Sequence, residues 1–161
     1  METLTSLDYA KLIQFAAAKL YRVLLNKTQI NKILFYVYGK YLAEKGEVLF
    51  TDDTPKAWPY GPVFPIVNKK IDTEEVVSGF SEEKIMAYKE NEAAYRIAIE
   101  AVKKLHDVSA YKLTQWSHQK DSPWYKTLFG EGEVEPNKEV KWNTPIPQNF
   151  IEEYFRSTNS L

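Results

Sequence analysis

The spacing of apolar residues along the 161-residue chain predicts a mainly helical protein. Apolar positions recur at the period of helices that bury one face. The pattern predicts helices over these ranges: 7–25, 28–45, 62–71, 91–107, 109–119 and 147–157. Elsewhere we expect an extended segment or edge strand at Val48–Phe50, a loop with at most a short helix over 72–90, and mostly loop over 130–149. The predicted fold class is mainly α: a compact multi-helix single domain over 1–161, with at most a small β-hairpin.

The predicted helix over 28–45 carries apolar residues on more than one side, so we expect it to pack against several neighbours. Lys32, Tyr36 and Lys40 recur at steps of four residues on the face opposite the main apolar stripe. Gly46 follows the last turn, where a left-handed residue commonly ends a helix. This helix is therefore expected to combine a core stripe with a face that could meet a partner.

The segment Ala57–Val63 concentrates a Trp, a Tyr, a Gly and two Pro within seven residues. Proline fixes φ and removes a backbone donor, while glycine admits backbone shapes closed to other residues. Large rings beside such a rigid turn indicate a specified corner. Two interpretations stay open: the corner locks a loop onto the core, or it docks a partner.

Composition favours a folded, soluble protein, predicted to be cytoplasmic. The chain is 44% hydrophobic, 27% charged and 14% aromatic, with a formal net charge of −1. The small net charge predicts no general attraction to nucleic acid or to acidic membranes. The chain has no cysteine, its first residues lack a signal-peptide layout, and its apolar stretches are interrupted by polar residues. The first 41 residues are locally basic, which indicates a solvated face or a surface for an acidic partner.

Enzyme chemistry has few candidate residues. His106 and His118 are the two imidazoles, and Ser117 beside His118 would point about 100° away from it on a helix. His118 could act with a distant Ser or Asp, or it could instead hydrogen-bond the backbone near Ser122 and Pro123. The prediction is that the protein is not an enzyme and has no catalytic residues.

Metal, cofactor and DNA sites are also not predicted. Two separated His without Cys cannot form a typical zinc site, and Asp52-Asp53 and Glu74-Glu75 are expected to be solvated surface. No phosphate-binding glycine loop is present, because Gly130-x-Gly132 is short and lies among acids and prolines. A helix-turn-helix can be drawn over 12–44, but its second helix has apolar residues where base-reading side chains belong.

Several short motifs occur in a recognisable order. They are Lys32–Tyr36, Tyr41–Ala43, Val48–Phe50, Ala57–Val63, Ser117-His118 and Ser122–Trp124. Their order and spacing resemble the Panacea domain family, also described as SocA-like or GepA-like phage-associated proteins. The resemblance runs from about residue 28 to 127, with a C-terminal docking helix expected over about 147–157.

The resemblance implies a mostly helical fold and an antitoxin role in a two-gene toxin–antitoxin system. Many members neutralise toxins by binding them, which implies a cognate protein toxin from the neighbouring gene as partner. One branch acts as an adaptor that delivers its toxin to the ClpXP protease, and this is the alternative. No cofactor is implied.

The candidate site residues fall into two groups. Protein interfaces rely on a few aromatic anchors with charges nearby, and the candidate toxin-binding residues are Lys32, Tyr36, Lys40, Trp58, Tyr60 and Phe64. The motif residues expected to be structural are Ala57, Gly61, Pro62, Val63, His118, Pro123 and Trp124. For Trp58 both interpretations stay open, a structural role in the corner and a contact with the toxin. Trp124 is expected to fill the core beneath His118.

Overall fold

Helices dominate the structure, and the longest of them lies at its centre. The computed structural model describes residues 3–75, 80–130 and 139–157. In chain order the elements are α1 (Ser6–Tyr21), α2 (Lys27–Lys45), β1 (Lys56–Trp58), β2 (Gly61–Val63), α3 (Pro65–Lys70), α4 (Glu82–Glu90), α5 (Glu92–Leu105), α6 (Ala110–Ser117), α7 (Pro123–Phe129), β3 (Thr144–Pro145) and α8 (Gln148–Ser157). The predicted mainly α fold class is confirmed.

Helix α2 is enclosed by the rest of the fold. It begins after Asn26, whose side chain accepts a hydrogen bond from the backbone N–H of Gln29, and it ends at Gly46 with φ of 72°. Every residue from Ile30 to Gly39 is buried, because α1, α5, α6, α8 and strand β2 all pack against this helix. The expected packing on several sides is confirmed. On the face opposite the main apolar stripe, Lys32 and Tyr36 are buried and Lys40 is half-buried.

The first helix ends four residues earlier than its apolar pattern predicts. Arg22 adopts a left-handed conformation with φ of 56°, and its N–H bonds to the carbonyls of Ala17 and Ala18. The apolar residues Val23 to Leu25 therefore lie after the helix, where Leu25 still packs into the core. The apolar periodicity continues past Tyr21, so it does not predict that the helix ends at the left-handed Arg22.

The expectation that Asp52-Asp53 is solvated surface holds for Asp52, which is exposed, and is wrong for Asp53, which is buried. The Asp52 carboxylate accepts hydrogen bonds from the N–H and hydroxyl of Ser6 at the start of α1, at 2.9 and 2.8 Å. The buried Asp53 carboxylate accepts from the N–H of Ile66 in the first turn of α3, at 2.8 Å. Both carboxylates thus bind the unpaired N–H groups that every helix leaves at its start.

The Trp-Pro-Tyr-Gly-Pro corner is a tight hairpin. Strands β1 and β2 are antiparallel with Trp58 opposite Gly61, so Pro59 and Tyr60 form the two-residue turn. Strand β3 pairs with the other side of β1, in the order β2-β1-β3. Pro62 lies within β2, so the predicted helix start at 62 is wrong; the helix begins at Pro65, which has the fixed φ that suits a first turn.

Three regions were predicted without a strong apolar pattern, and the structure describes them in whole or in part. Val48–Phe50 forms no strand, although Leu49 and Phe50 are buried. Helix α4 occupies nine residues of the expected 72–90 loop, of which 76–79 lie outside the described residues. Of the 130–149 loop, residues 131–138, including Gly132, also lie outside them.

The C-terminal helix covers one side of the central helix. Ile151, Tyr154 and Phe155 form its buried face. The ring of Phe155 lies so close to Gly39 that a Cβ added there would overlap it. The absence of a side chain at Gly39 therefore lets α8 seat against α2.

Candidate functional site

The hairpin is seated directly on Lys32 of α2 and Ser117 of α6. Gly61 has φ of 114°, and a Cβ at this position would lie 2.5 Å from Ser117 Oγ and 2.7 Å from Lys32 Cε. Only glycine combines this backbone conformation with so close an approach. The glycine of the motif therefore fixes the hairpin over the Lys32 side chain.

Lys32 is 1% exposed, although its position on α2 predicted a contact residue. It forms no hydrogen bond or ion pair within the part of the chain that the structure describes. Burial lowers the pKa of its ammonium group from 10.5 to about 8, because desolvation disfavours the charged form. The group still carries its positive charge at neutral pH.

A cavity of about 300 Å³ opens beside Lys32 under the hairpin turn. We call it the hairpin cavity; its walls include Asn31, Lys32, Trp58, Tyr60, Val63 and Asn68. Tyr60 at its mouth is 73% exposed, and Trp58 is half-buried. The cavity combines aromatic walls, amide groups and a single ammonium group.

Two tryptophans and an asparagine hold the outer side of the hairpin. Trp124 Nε1 donates to the backbone oxygen of Trp58 at 2.7 Å, and Trp58 Nε1 donates to Asn143 Oδ1 at 2.9 Å. Asn143 has φ of 68° and donates its own N–H to the Ala57 oxygen at 2.7 Å. Asn143 was not among the predicted site residues, and the signal for it in the sequence is that asparagine tolerates the left-handed region.

His118 packs against Trp124 and has no catalytic arrangement within the described residues. Their rings stack with centroids 3.8 Å apart and planes 10° apart. The buried Nε2 has no hydrogen-bond partner among the described residues, so the expected bond to backbone near Ser122 and Pro123 is not found. Ser117 donates its hydroxyl to the Thr114 oxygen at 2.9 Å. Burial, and then the nearby charge of Lys32, lower the pKa of His118.

A second concavity lies further along the same face of α2, between α5 and α8. We call it the cationic groove; it has a volume of about 470 Å³ and is lined by Tyr36, Lys40, Ala43, Glu44, Arg96, Ile97, Glu100, Lys104, Phe155 and Arg156. The ammonium groups of Lys40 and Lys104 lie 5.5 and 5.6 Å from the centre of the Tyr36 ring. A cation at this distance is attracted to the face of an aromatic ring.

Arg96 pairs with both carboxylates of the cationic groove. It contacts Glu44 at 2.5 Å and Glu100 at 3.8 Å. Lys40 and Lys104 have no acidic partner within the described residues. Burial, and then the charge of Glu100, raise the pKa of Tyr36 above its ordinary value. The groove therefore presents a neutral ring between two unpaired ammonium groups.

The structure separates the six predicted toxin-binding residues. Lys32, Trp58 and Tyr60 line the hairpin cavity, and Tyr36 and Lys40 line the cationic groove. Phe64 lies fully buried among other rings, so it has no surface to offer. Their role in toxin binding stays a prediction. Lys104, Arg96 and Phe155 were missed because only long-range packing brings them to Tyr36.

The motif residues expected to be structural lie together around the hairpin. Strand residues Ala57, Gly61, Pro62 and Val63 are all buried, as are Pro123 and Trp124 at the start of α7. Ser122 caps α7 by accepting a hydrogen bond from the N–H of Tyr125 at 3.1 Å. The motifs 57–63 and 117–124, distant in sequence, thus form one packing unit.

Comparison with protein families agrees with this arrangement. The model for the family described as antitoxin SocA-like, Panacea domain, matches residues 30–125. The chain belongs to this family. The Panacea match spans α2 to α7 and contains the hairpin and both tryptophans that hold it. A search of curated proteins and a search of solved structures each found no match.

Membrane-spanning helices and metal-binding clusters are both absent from the described residues. No helix there is both long and apolar enough to cross a membrane. No group of three His, Asp or Glu residues within residues 3–75, 80–130 and 139–157 is placed to hold a metal ion.

Proposed function

We propose that this Panacea-domain protein is an antitoxin that neutralises a cognate protein toxin by binding it directly. The family is one of SocA-like antitoxins, which supports the general role. In this proposal the toxin is encoded by the neighbouring gene, the two proteins meet in the cytoplasm where both are made, and the antitoxin acts without catalysis.

The cationic groove is the observation that carries the proposal. Four cationic side chains and two carboxylates line it, although the whole chain has a net charge of −1. Arg96 engages both carboxylates and Arg156 pairs with Glu152, so among the described residues Lys40 and Lys104 are the groove cations without an acidic partner. A concave surface with local positive charge and a central ring suits an acidic segment of a partner protein, because complementary charge steers association and aromatic groups anchor it.

The hairpin turn supplies a second contact in this proposal. Tyr60 extends from a two-residue turn that Trp124 and Asn143 hold in place. A rigid exposed aromatic residue loses little conformational entropy on binding, which favours affinity. We therefore assign Tyr36 and Lys40 to one contact with the toxin, and Trp58 and Tyr60 to another.

Co-expression with the product of the neighbouring gene tests the proposal. The wild-type protein is expected to restore growth and to co-purify with that product. A Lys40→Glu/Lys104→Glu variant places like charges against an acidic partner, which costs several kcal/mol, so binding should weaken about 100-fold or more. Circular dichroism checks that the variant is folded.

The matched control is Lys19→Glu/Lys112→Glu, which makes the same change in net charge at two exposed lysines outside the groove. It should neutralise the toxin like wild type. Equal loss in both double variants would show a general charge effect and would contradict the groove assignment. Failure of the well-expressed wild type to restore growth would contradict the antitoxin proposal itself.

The adaptor alternative differs in the fate of the toxin. Neutralisation by occlusion predicts the same toxin half-life with and without the ClpXP-type protease. Delivery to the protease predicts a longer half-life in cells that lack it, with neutralisation lost.

A further inference from the structure

The hairpin cavity contains a positive charge without a partner. Lys32 is 1% exposed and lines the cavity, yet no carboxylate or hydrogen-bond acceptor contacts its ammonium group within the described residues. A buried charge is costly unless it is paired. The free protein therefore keeps a charged group that an incoming anion would stabilise.

The buried Asn31 amide of the cavity wall is already engaged. Asn31 Oδ1 accepts from the N–H of Phe64 at 2.9 Å, and Asn31 Nδ2 donates to the Lys27 oxygen at 3.0 Å and lies 3.4 Å from Asn68 Oδ1. The remaining walls are largely aromatic or aliphatic, at Trp58, Tyr60 and Val63. The Lys32 ammonium is thus the strongest hydrogen-bond donor that the cavity offers to a ligand.

We propose that the hairpin cavity receives the carboxylate of an acidic side chain of the toxin, which pairs with Lys32 while its methylene groups pack between Trp58 and Tyr60. The proposal rests on the proposed antitoxin function. It adds a second, buried recognition point to the surface charges of the cationic groove.

Charge and shape favour a carboxylate over other anions. One ammonium group balances one negative charge, whereas a phosphate group would bring nearly two into a cavity with a single cation. A volume of about 300 Å³ accommodates one side chain but no secondary-structure element. The exposed ring of Tyr60 at the mouth is typical of the residues that surround an interface anchor.

His118 provides an internal reporter of this site. The charge of Lys32 contributes to lowering the pKa of His118. A carboxylate bound to Lys32 would cancel part of that charge, so the pKa of His118 should rise when the cavity is filled. A ligand bound elsewhere on the surface would leave it unchanged.

The first experiment uses the purified full chain and two probes, N-acetyl-glutamate methylamide and its neutral glutamine analogue. Binding is followed by NMR of the Lys32 side chain, the Trp58 indole and the His118 ring. The acidic probe should bind about tenfold or more tightly than the neutral one, since hydrogen bonds between charged groups are worth about 1.5–3 kcal/mol. It should also raise the pKa of His118.

Lys32→Met keeps the length and apolar stem of the side chain and removes its charge. This variant should lose the preference for the acidic probe. Lys19→Met, which removes an exposed lysine of α1 outside both the hairpin cavity and the cationic groove, should retain it. Equal affinity for the two probes in the wild type would overturn the proposal without the use of any variant. An unchanged preference in Lys32→Met would overturn it as well.

The second experiment measures binding of Lys32→Met to the neighbouring-gene product that the wild type co-purifies with. About tenfold or more loss of affinity supports the proposal. Wild-type affinity in Lys32→Met overturns it and leaves the antitoxin function standing. If the wild type does not bind the product at all, the antitoxin function fails and the assignment of a toxin side chain fails with it, while the probe titration still decides whether the cavity binds a carboxylate.

Discussion

Replacing Gly61 with alanine tests the contact between the hairpin and α2. The added Cβ would lie 2.5 Å from Ser117 Oγ and 2.7 Å from Lys32 Cε, and the residue would keep a φ of 114° that side chains rarely adopt. Both atoms are held by packing, because Ser117 and Lys32 are buried. The substitution therefore combines backbone strain with overpacking.

The expected loss follows from those two contributions. A residue held in a sparsely populated backbone region costs about 1–3 kcal/mol, and forcing an extra methyl group into a packed core costs about 1–3 kcal/mol. Gly61→Ala should thus lower the free energy of unfolding by about 2–6 kcal/mol, a large part of the 5–15 kcal/mol typical of a folded protein.

Urea denaturation followed by circular dichroism measures this loss, and Gly46→Ala is the control. Gly46 has φ of 72° but nothing within 4 Å of an added Cβ, so only the backbone contribution remains. Adding Ser117→Ala to Gly61→Ala removes one of the two clashing atoms and should recover part of the stability. A Gly61→Ala variant no less stable than Gly46→Ala would refute the close seating of the hairpin.

Three further predictions concern stability. Gly39→Ala should cost about 1–3 kcal/mol in urea denaturation because its Cβ overlaps Phe155, and Phe155→Leu in the same chain should recover part of it; an additive result would contradict the contact. Trp116→Phe and Tyr154→Phe each remove the buried hydrogen bond of 2.8 Å between Trp116 Nε1 and the Tyr154 hydroxyl, so each should cost about 1–2 kcal/mol and the double variant less than the sum. Burial lowers the pKa of Lys32 to about 8 from an ordinary 10.5, so between these values Lys32 binds more protons in the unfolded chain. The stability of the wild type relative to Lys32→Met should therefore rise with pH there, by about 3 kcal/mol in total. Lys32→Met should lack this rise, and identical pH profiles of the two proteins would show that the ammonium is not desolvated.

The helices that were predicted well have either a capping residue at each end or a clear apolar face. Helix α2 has Asn26 before it and Gly46 after it, and both residues act as caps in the structure. Helices α5 and α8 bury one face each, so their periodicity was sufficient. Local patterns predict an element when its ends and its buried side are set by its own residues.

The wrong helix bounds lie where the backbone conformation, or pairing with another segment, determines the structure. Arg22 ends α1 in a left-handed conformation, which an arginine in the sequence does not predict. The apolar residues after it continue the helical periodicity. Pro62 has the φ of a helix start but pairs with Ala57 in a hairpin, so Pro65 begins the helix instead. Proline fixes one dihedral angle and leaves the choice of element to its neighbours.

The candidate site was predictable in its residues but not in its geometry. Lys32 lies opposite the apolar stripe of α2, where solvent is expected, yet the hairpin and α6 cover it. Lys104 and Phe155 reach Tyr36 from α5 and α8. Helical periodicity describes one helix at a time, so it cannot show which side chains neighbouring helices bring into a shared groove.

The last helix gives the cationic groove a wall that lies outside the residues matched by the family model. Phe155 and Arg156 line the groove from α8, beyond the range 30–125 that defines the Panacea match, whereas Tyr36 and Lys40 line it from inside that range. Changes at exposed positions of α8 such as Arg156 alter the shape and charge of the groove without touching the hairpin or its tryptophans. In the proposed function, substitutions confined to this one helix would change which toxin the groove binds, and exchange of α8 between homologous Panacea-domain proteins would test that consequence.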